Sequence, residues 1–263
     1  MMAVKAYSIA GINNLDETVR RDIFLHMVPD EIFKRFSLPH NLVDNHGNNL
    51  LLIEGNPGSQ SLELRLFHEA EFQDPILYCH MVDTLNGQIH VLLYIMNDPF
   101  APRFNIDVLP DGTKTAFGTR NRNLDEELKA MEAGLLPGQI RRGLNILSEA
   151  VLSFENFIQT LGQNRYFNEP LYYHNAIIFE RYGFSYQMGK RKMASIHSKF
   201  LADDEVISKL GSTPFRRPEA QHSIFYRSWA IHDGILGEKF DGVTMYKIIG
   251  RKGSINTAPG IHW

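Results

Sequence analysis

One apolar stripe constrains this chain more than any other feature. Ile140, Leu144, Leu147, Val151, Phe154, Ile158 and Leu161 recur in steps of four and three, the spacing that keeps side chains on one face of an α-helix. The pattern predicts a continuous helix over residues 139–161, closed by Gly162 in the left-handed conformation glycine tolerates. A face of that length must be buried against another layer, and the segments before it supply the strands of a sheet.

Residues 3–10 read as a short strand. Asn14, three residues before Glu17, gives a capping-box start to a helix reaching Met27, and Asp30 starts a second one bearing Ile32, Phe33 and Phe36. A meander follows. Leu50–Ile53 is apolar, Leu62, Leu64 and Leu66 alternate with charged residues, and residues 76–83 and 88–96 flank Leu85-Asn86-Gly87, where Asn-Gly supplies the positive φ angles of a tight hairpin turn. Phe104, Ile106 and Val108 alternate with Asn105 and Asp107 as one more strand. A helix over 125–133 lies in the turn-rich stretch 111–138. Beyond the long helix come a strand in 165–173, a helix over 174–182 ended by Gly183, and a strand over 184–195. A short helix capped by Asp203, a helix over 219–232, a strand over 242–249 and an irregular tail complete the order.

Composition excludes several classes. The chain has 263 residues, a net charge of −3 and a single cysteine, Cys79. It can bury a sizeable core, carries no excess of basic charge to mark a nucleic-acid partner, and can form neither an internal disulfide nor a cysteine metal cluster. No apolar run is long enough for a membrane span, and the first residues show no signal-peptide pattern, so a cytoplasmic protein with no membrane partner is expected. Of the histidines, His40 with His46 and His68 with His80 lack metal-ligand spacing on a helix, and His80 facing His90 across the hairpin makes at most a partial site; no metal is expected. Cys79, in an apolar strand, reads as an inert buried thiol.

The segment Phe179-Glu180-Arg181-Tyr182-Gly183-Phe184, downstream of Gln139-Ile140-Arg141-Arg142-Gly143-Leu144-Asn145, resembles the second half of a domain of the GNAT superfamily of N-acyltransferases. The resemblance covers residues 1–197, with its specific motifs in 137–197. It implies an α+β fold with a mixed, mostly antiparallel sheet flanked by helices. It divides the chain into an acyltransferase-like domain over 1–199, with an insertion at about 111–138, and a C-terminal helix-plus-strand extension over 200–263 packed on the same domain.

The resemblance also implies acyl-coenzyme A as a substrate. Its phosphates would sit at the start of the long helix, where unpaired N–H groups and the dipole favour anions. The residues matched are Gln139, Arg141, Arg142, Gly143 and Asn145, with Asn145 where a second glycine or alanine is usual; Arg120 and Arg122 could add charge. The arginines are equally a basic, solvated turn. The tyrosine that often protonates the departing thiolate is replaced by Phe179, leaving Tyr182, Tyr172 or Tyr173 as substitutes. Asp107, on the polar face of its strand, is the candidate general base for an amine nucleophile, or else a solvated strand carboxylate. Two function classes follow: an N-acyltransferase acting on an unidentified amine, possible as a homodimer, and a non-catalytic module of the same fold for ligand sensing or protein interaction.

Overall fold

A computed structural model describes residues 7–263. The chain folds as α1 (Ile9–Asn13), α2 (Glu17–Leu25), α3 (Asp30–Arg35), β1 (Leu51–Glu54), β2 (Ser61–Leu66), β3 (Leu77–Asp83), β4 (Ile89–Met96), α4 (Leu124–Glu132), α5 (Leu147–Thr160), β5 (Arg165–Asn168), α6 (Tyr173–Arg181), β6 (Ser185–Met188), α7 (Lys190–Ala202), α8 (Asp204–Ser208), α9 (Ile224–His232) and β7 (Thr244–Ile248). This is an α+β architecture. Among the described residues its sheet is mixed and seven-stranded, in the order β1-β2-β3-β4-β5-β7-β6. β1 to β4 form an antiparallel meander, and β4 runs parallel to β5.

The backbone divides into two interleaved compact units, one of residues 1–100, 143–168 and 246–251, the other of 101–142, 169–245 and 252–263. The boundary drawn at residue 199 falls inside α7. In the first unit, alternation buries Leu62, Leu64 and Leu66 of β2 and Leu77, Cys79 and Met81 of β3. The carboxylate of Asp83, at the end of β3, accepts the N–H groups of Ile9 and Ala10 in the first turn of α1. Phe24 of α2 meets Phe157 of α5 with ring centroids 5.8 Å apart. In the second unit, Trp229 of α9 stacks on Phe215 at 5.5 Å and donates from its indole nitrogen to the Leu135 carbonyl at 2.9 Å.

Several sequence expectations need correction. The long helix starts at Leu147 instead of 139, because Asn145 adopts a left-handed φ of 59° that an α-helix cannot contain. Ile140 is still buried, but within the second unit, against Ile106, Ala130 and Leu135. The far end is as expected: Gly162 has φ 70°, its N–H bonds the Gln159 carbonyl and the Gln163 N–H bonds that of Ile158, a Schellman cap. Residues 104–108 form no strand; the Phe104 N–H goes to the Ile140 carbonyl, and only Val108 makes a bridge, with Lys114. The strand expected over 184–195 stops at Met188, where Gly189 turns the chain at φ 93° into α7. The helix expected over 219–232 is broken by Ser223, which caps α9.

The hairpin is present with Leu85-Asn86-Gly87 in its loop as expected, closed by the Thr84 N–H on the Gln88 carbonyl, but of the Asn86-Gly87 pair only Gly87 has positive φ, 71°. Asn14 ends α1 instead of starting α2. Residues 3–6 of the expected first strand lie outside the described residues, and Ile9 and Ala10 are helical.

Candidate functional site

The meander sets up an irregularity at β4. Met81 pairs with Val91 while His80 pairs with Leu93, so Leu92 is an extra residue with no partner on β3. Such a bulge bends its strand and increases the local twist. The consequence appears on the other edge of β4. The parallel ladder with β5 contains only His90 opposite Phe167 and Val91 opposite Asn168; it ends where the bulge begins. β4 continues to Met96, while β5 stops at Asn168 and is followed by Glu169-Pro170, whose proline has no N–H to extend the ladder. Among the described residues, none continues the β5 ladder along Leu92–Met96.

Two polar atoms flank this opening without a hydrogen-bond partner: the side-chain oxygen of Asn168, a residue 5 % exposed, and the hydroxyl oxygen of Tyr94, both buried. The register puts Asn168 beside Val91, Val91 opposite Met81 and Tyr94 opposite Cys79, which places them on the face covered by α5. The Tyr94 ring stands edge-on to Phe154 of α5 at 6.3 Å. Burial pushes its phenol well above the usual tyrosine range, so it keeps its proton. Native proteins leave few buried polar atoms unpaired, and two of those in this chain lie beside the interrupted ladder.

The segment leading into α5 lies at the C-terminal end of β4. A side chain on Gly143 would start 3.5 Å from the Met96 carbonyl oxygen. Arg35, the last residue of α3, donates to the Leu144 carbonyl at 2.9 Å and brings a cation to this segment. Ile146, the residue before α5, has no side chain capping the first turn, so that turn's N–H groups lack a capping acceptor. Glu149 contributes a carboxylate to the same turn and accepts the Ser148 hydroxyl at 2.6 Å.

Of the residues matched to a phosphate site, Gly143 and Asn145 belong to the first unit with β4, and Gln139, Arg141 and Arg142 belong to the second. Arg141 is buried and donates to the Ala101 carbonyl at 2.6 Å, the Gln139 side chain accepts the Leu136 N–H at 2.8 Å, and Arg142 is exposed. Asp107 sits in an irregular segment, held by Arg103 at 2.7 Å. Tyr182 caps the C-terminus of α6. Both lie in the second unit. Phe179 packs on Phe184 with centroids 4.9 Å apart. Arg122 holds Glu127 and Asp233, the latter at 2.7 Å, so it is committed to carboxylates and not open to phosphate.

That pairing belongs to a buried polar network with no sequence signal. His232 of α9 bonds Glu127 of α4 at 3.0 Å, and Arg216 joins Asp233 at 2.8 Å. Tyr172 stacks on His174, whose Nδ1 is buried without a partner; burial, and secondarily the neighbouring His232, lowers the His174 imidazole to about 3. Nearby, Arg227 is fully buried and donates to the carbonyls of Ala220 and Gln221 at 3.0 and 2.7 Å. Apart from His174 Nδ1, these groups bond one another or nearby backbone carbonyls and read as internal bracing.

Cys79 is fully buried and its thiol is pushed up by burial alone, the inert state expected of it. His80 bonds the Ser61 hydroxyl at 3.1 Å. Among the described residues, no three His, Cys, Asp or Glu side chains are grouped to hold a metal, and no helix is long and apolar enough to cross a membrane. Comparison with protein-family models, with curated proteins and with solved structures finds no match to this chain.

Proposed function

We propose that this chain binds an acyl-coenzyme A along the open edge of β4 and transfers the acyl group to an amine in the cytoplasm. The observation that carries the reading is the early end of the β4–β5 ladder at the Leu92 bulge. An exposed strand edge inside a sheet accepts an extended chain that carries its own amides, and the pantetheine arm is such a chain. The edge's N–H groups are fixed dipoles. A thioester carbonyl bonded to them is polarised, and the negative charge that grows on its oxygen during amine attack is stabilised without reorganisation.

The diphosphate would then meet Gly143–Ile146, the Arg35 guanidinium and the first turn of α5, where that guanidinium and the unpaired N–H groups favour an anion against the Glu149 carboxylate of the same turn. Tyr94 supplies a protonated hydroxyl on the same strand that can hydrogen-bond the departing sulfur, while the thiolate takes up the proton that the attacking amine releases. The strand order, with β4 parallel to β5 and the helices α4 and α5 between them in sequence, supports this reading.

A second reading, ligand sensing without transfer, draws on Phe179, which has no proton to give, and on Asp107, which is engaged by Arg103.

Calorimetry with acetyl-, longer acyl- and free coenzyme A tests the shared premise, and a mutation tests the place. Gly143→Phe keeps an allowed backbone and directs a ring toward the Met96 carbonyl; it should abolish binding while leaving the melting temperature of the free protein near that of the wild type. Binding that survives this change would remove the site from β4. Binding without transfer to any amine in a broad acceptor screen would favour sensing.

A further inference from the structure

Past the end of β4 the first unit carries a cluster of rings that the reading above does not use. Phe100 is 78 % exposed. A single exposed ring is unremarkable on a protein surface, but this one is held. Its N–H donates to the Asp98 carboxylate at 3.0 Å. His68 stands edge-on to it with centroids 5.6 Å apart, and Phe36 lies 6.1 Å away. Phe36 and Phe72 in turn pack on His68 at 5.9 and 4.4 Å. The ring is therefore backed and oriented on one side while most of its surface meets water. Ordering an apolar face that remains solvated costs free energy that a flat ligand would recover.

The location says which ligand. Phe36 follows Arg35 directly, and Arg35 is bonded to the Leu144 carbonyl in the segment that enters α5. Phe100 lies four residues past the end of β4 at Met96. An aromatic platform, a guanidinium and the mouth of the β4 edge are thus joined through one residue pair. A base stacks on an aromatic face whatever its edge pattern, and its phosphates need a cation within reach of the same molecule.

We propose that Phe100, backed by His68 and Phe36, is the stacking platform for the purine end of the coenzyme, with Arg35 facing its phosphates. This rests on the coenzyme reading and adds to it the part of the ligand that fixes affinity without touching the thioester. Stacking and the thioester contacts then act at opposite ends of one ligand, so truncating either the ligand or the ring separates them.

The experiment is a calorimetric titration of coenzyme A, 4′-phosphopantetheine and adenosine 3′,5′-bisphosphate into the wild type, Phe100→Ala and Phe100→Trp. Phe100→Ala should weaken coenzyme A by about five- to 150-fold, the range for one stacked base, and abolish adenosine 3′,5′-bisphosphate binding. It should leave 4′-phosphopantetheine unchanged. Phe100→Trp should retain affinity, with indole fluorescence quenched by the nucleotide. Equal weakening of coenzyme A and 4′-phosphopantetheine would overturn the platform, since the ring would then be supporting the protein. So would unchanged coenzyme A affinity in Phe100→Ala, or a change in oligomeric state as its only effect. If adenosine 3′,5′-bisphosphate binds the wild type through Phe100 while 4′-phosphopantetheine does not bind, the platform stands and the thioester reading falls. If none of the three ligands binds the wild type, both fall.

Discussion

Lowering the pH should destabilise this protein through one histidine. His174 is 2 % exposed, its Nδ1 has no partner, and burial depresses its imidazole from 6.5 to about 3. The sign follows from proton counting. Between those two values the unfolded chain binds a proton that the folded chain refuses, so the stability His174 permits is complete above about pH 6.5 and is lost as the pH falls toward 3. Each unit in that window costs about 1.4 kcal/mol. From about pH 7.5 to about pH 4.5 the loss is therefore about 2–3 kcal/mol, a large part of the roughly 5–15 kcal/mol that holds a typical domain folded.

His174→Phe keeps a ring stacked on Tyr172 and removes the titration. Urea unfolding of both proteins at the two pH values isolates the effect, because every other group titrates in both. The wild type should lose about 2–3 kcal/mol more than the variant over this range. Equal pH dependence in the two would refute the argument, and would mean that His174 finds a proton acceptor or solvent in the folded state.

Two further perturbations separate bracing from binding. Arg122→Ala leaves Glu127 buried with His232 as its remaining partner and should cost about 3–5 kcal/mol in denaturant unfolding, as for other broken buried pairs, with coenzyme A affinity unchanged; lost affinity at normal stability would return Arg122 to the phosphate site. Deleting Leu92 restores regular alternation opposite β3 and removes the bend from the β4 edge, so the variant should keep its circular dichroism spectrum and lose coenzyme A binding; retained affinity would show that the bulge does not make the opening.

Much of the fold could be read from local pattern. An apolar run located β1, alternation located β2, the Asn86-Gly87 turn located β3 and β4 on either side of it, and the Val151–Leu161 stripe with Gly162 located α5 and its end. The failures have a common physical form, in that distant partners decided between local alternatives. Phe104–Val108 alternates like a strand, yet its first N–H is taken by Ile140. Ile140 and Leu144 continue the helical stripe by spacing, yet Asn145 breaks the helix and Ile140 packs in the other unit. α7 was legible and overlooked: Met193, Ile196 and Phe200 recur at helical spacing and are buried, behind the basic run Lys190-Arg191-Lys192. The division into interleaved units leaves no mark on composition, because the chain leaves the first unit after Phe100 and returns at Gly143.

The candidate site was less legible than the fold, and for a different reason. A motif search asks for charged or nucleophilic side chains, whereas the opening at β4 is made of backbone. Its one trace in the sequence is the run Val91-Leu92-Leu93, which breaks the alternation of a half-buried strand and so permits a bulge without requiring one. Tyr94 and Asn168 fall in expected strands, and only the register puts them on one face, while only the bond to the Leu144 carbonyl brings Arg35 to the segment entering α5. If the opening binds what is proposed, specificity for the acyl chain should depend on the apolar side chains beside Leu92–Met96 and hardly at all on the arginines first matched to a phosphate loop. Arg141 and Arg122 already spend their hydrogen bonds inside the second unit, and a buried cation that leaves such partners for a phosphate gives up about as much as it gains.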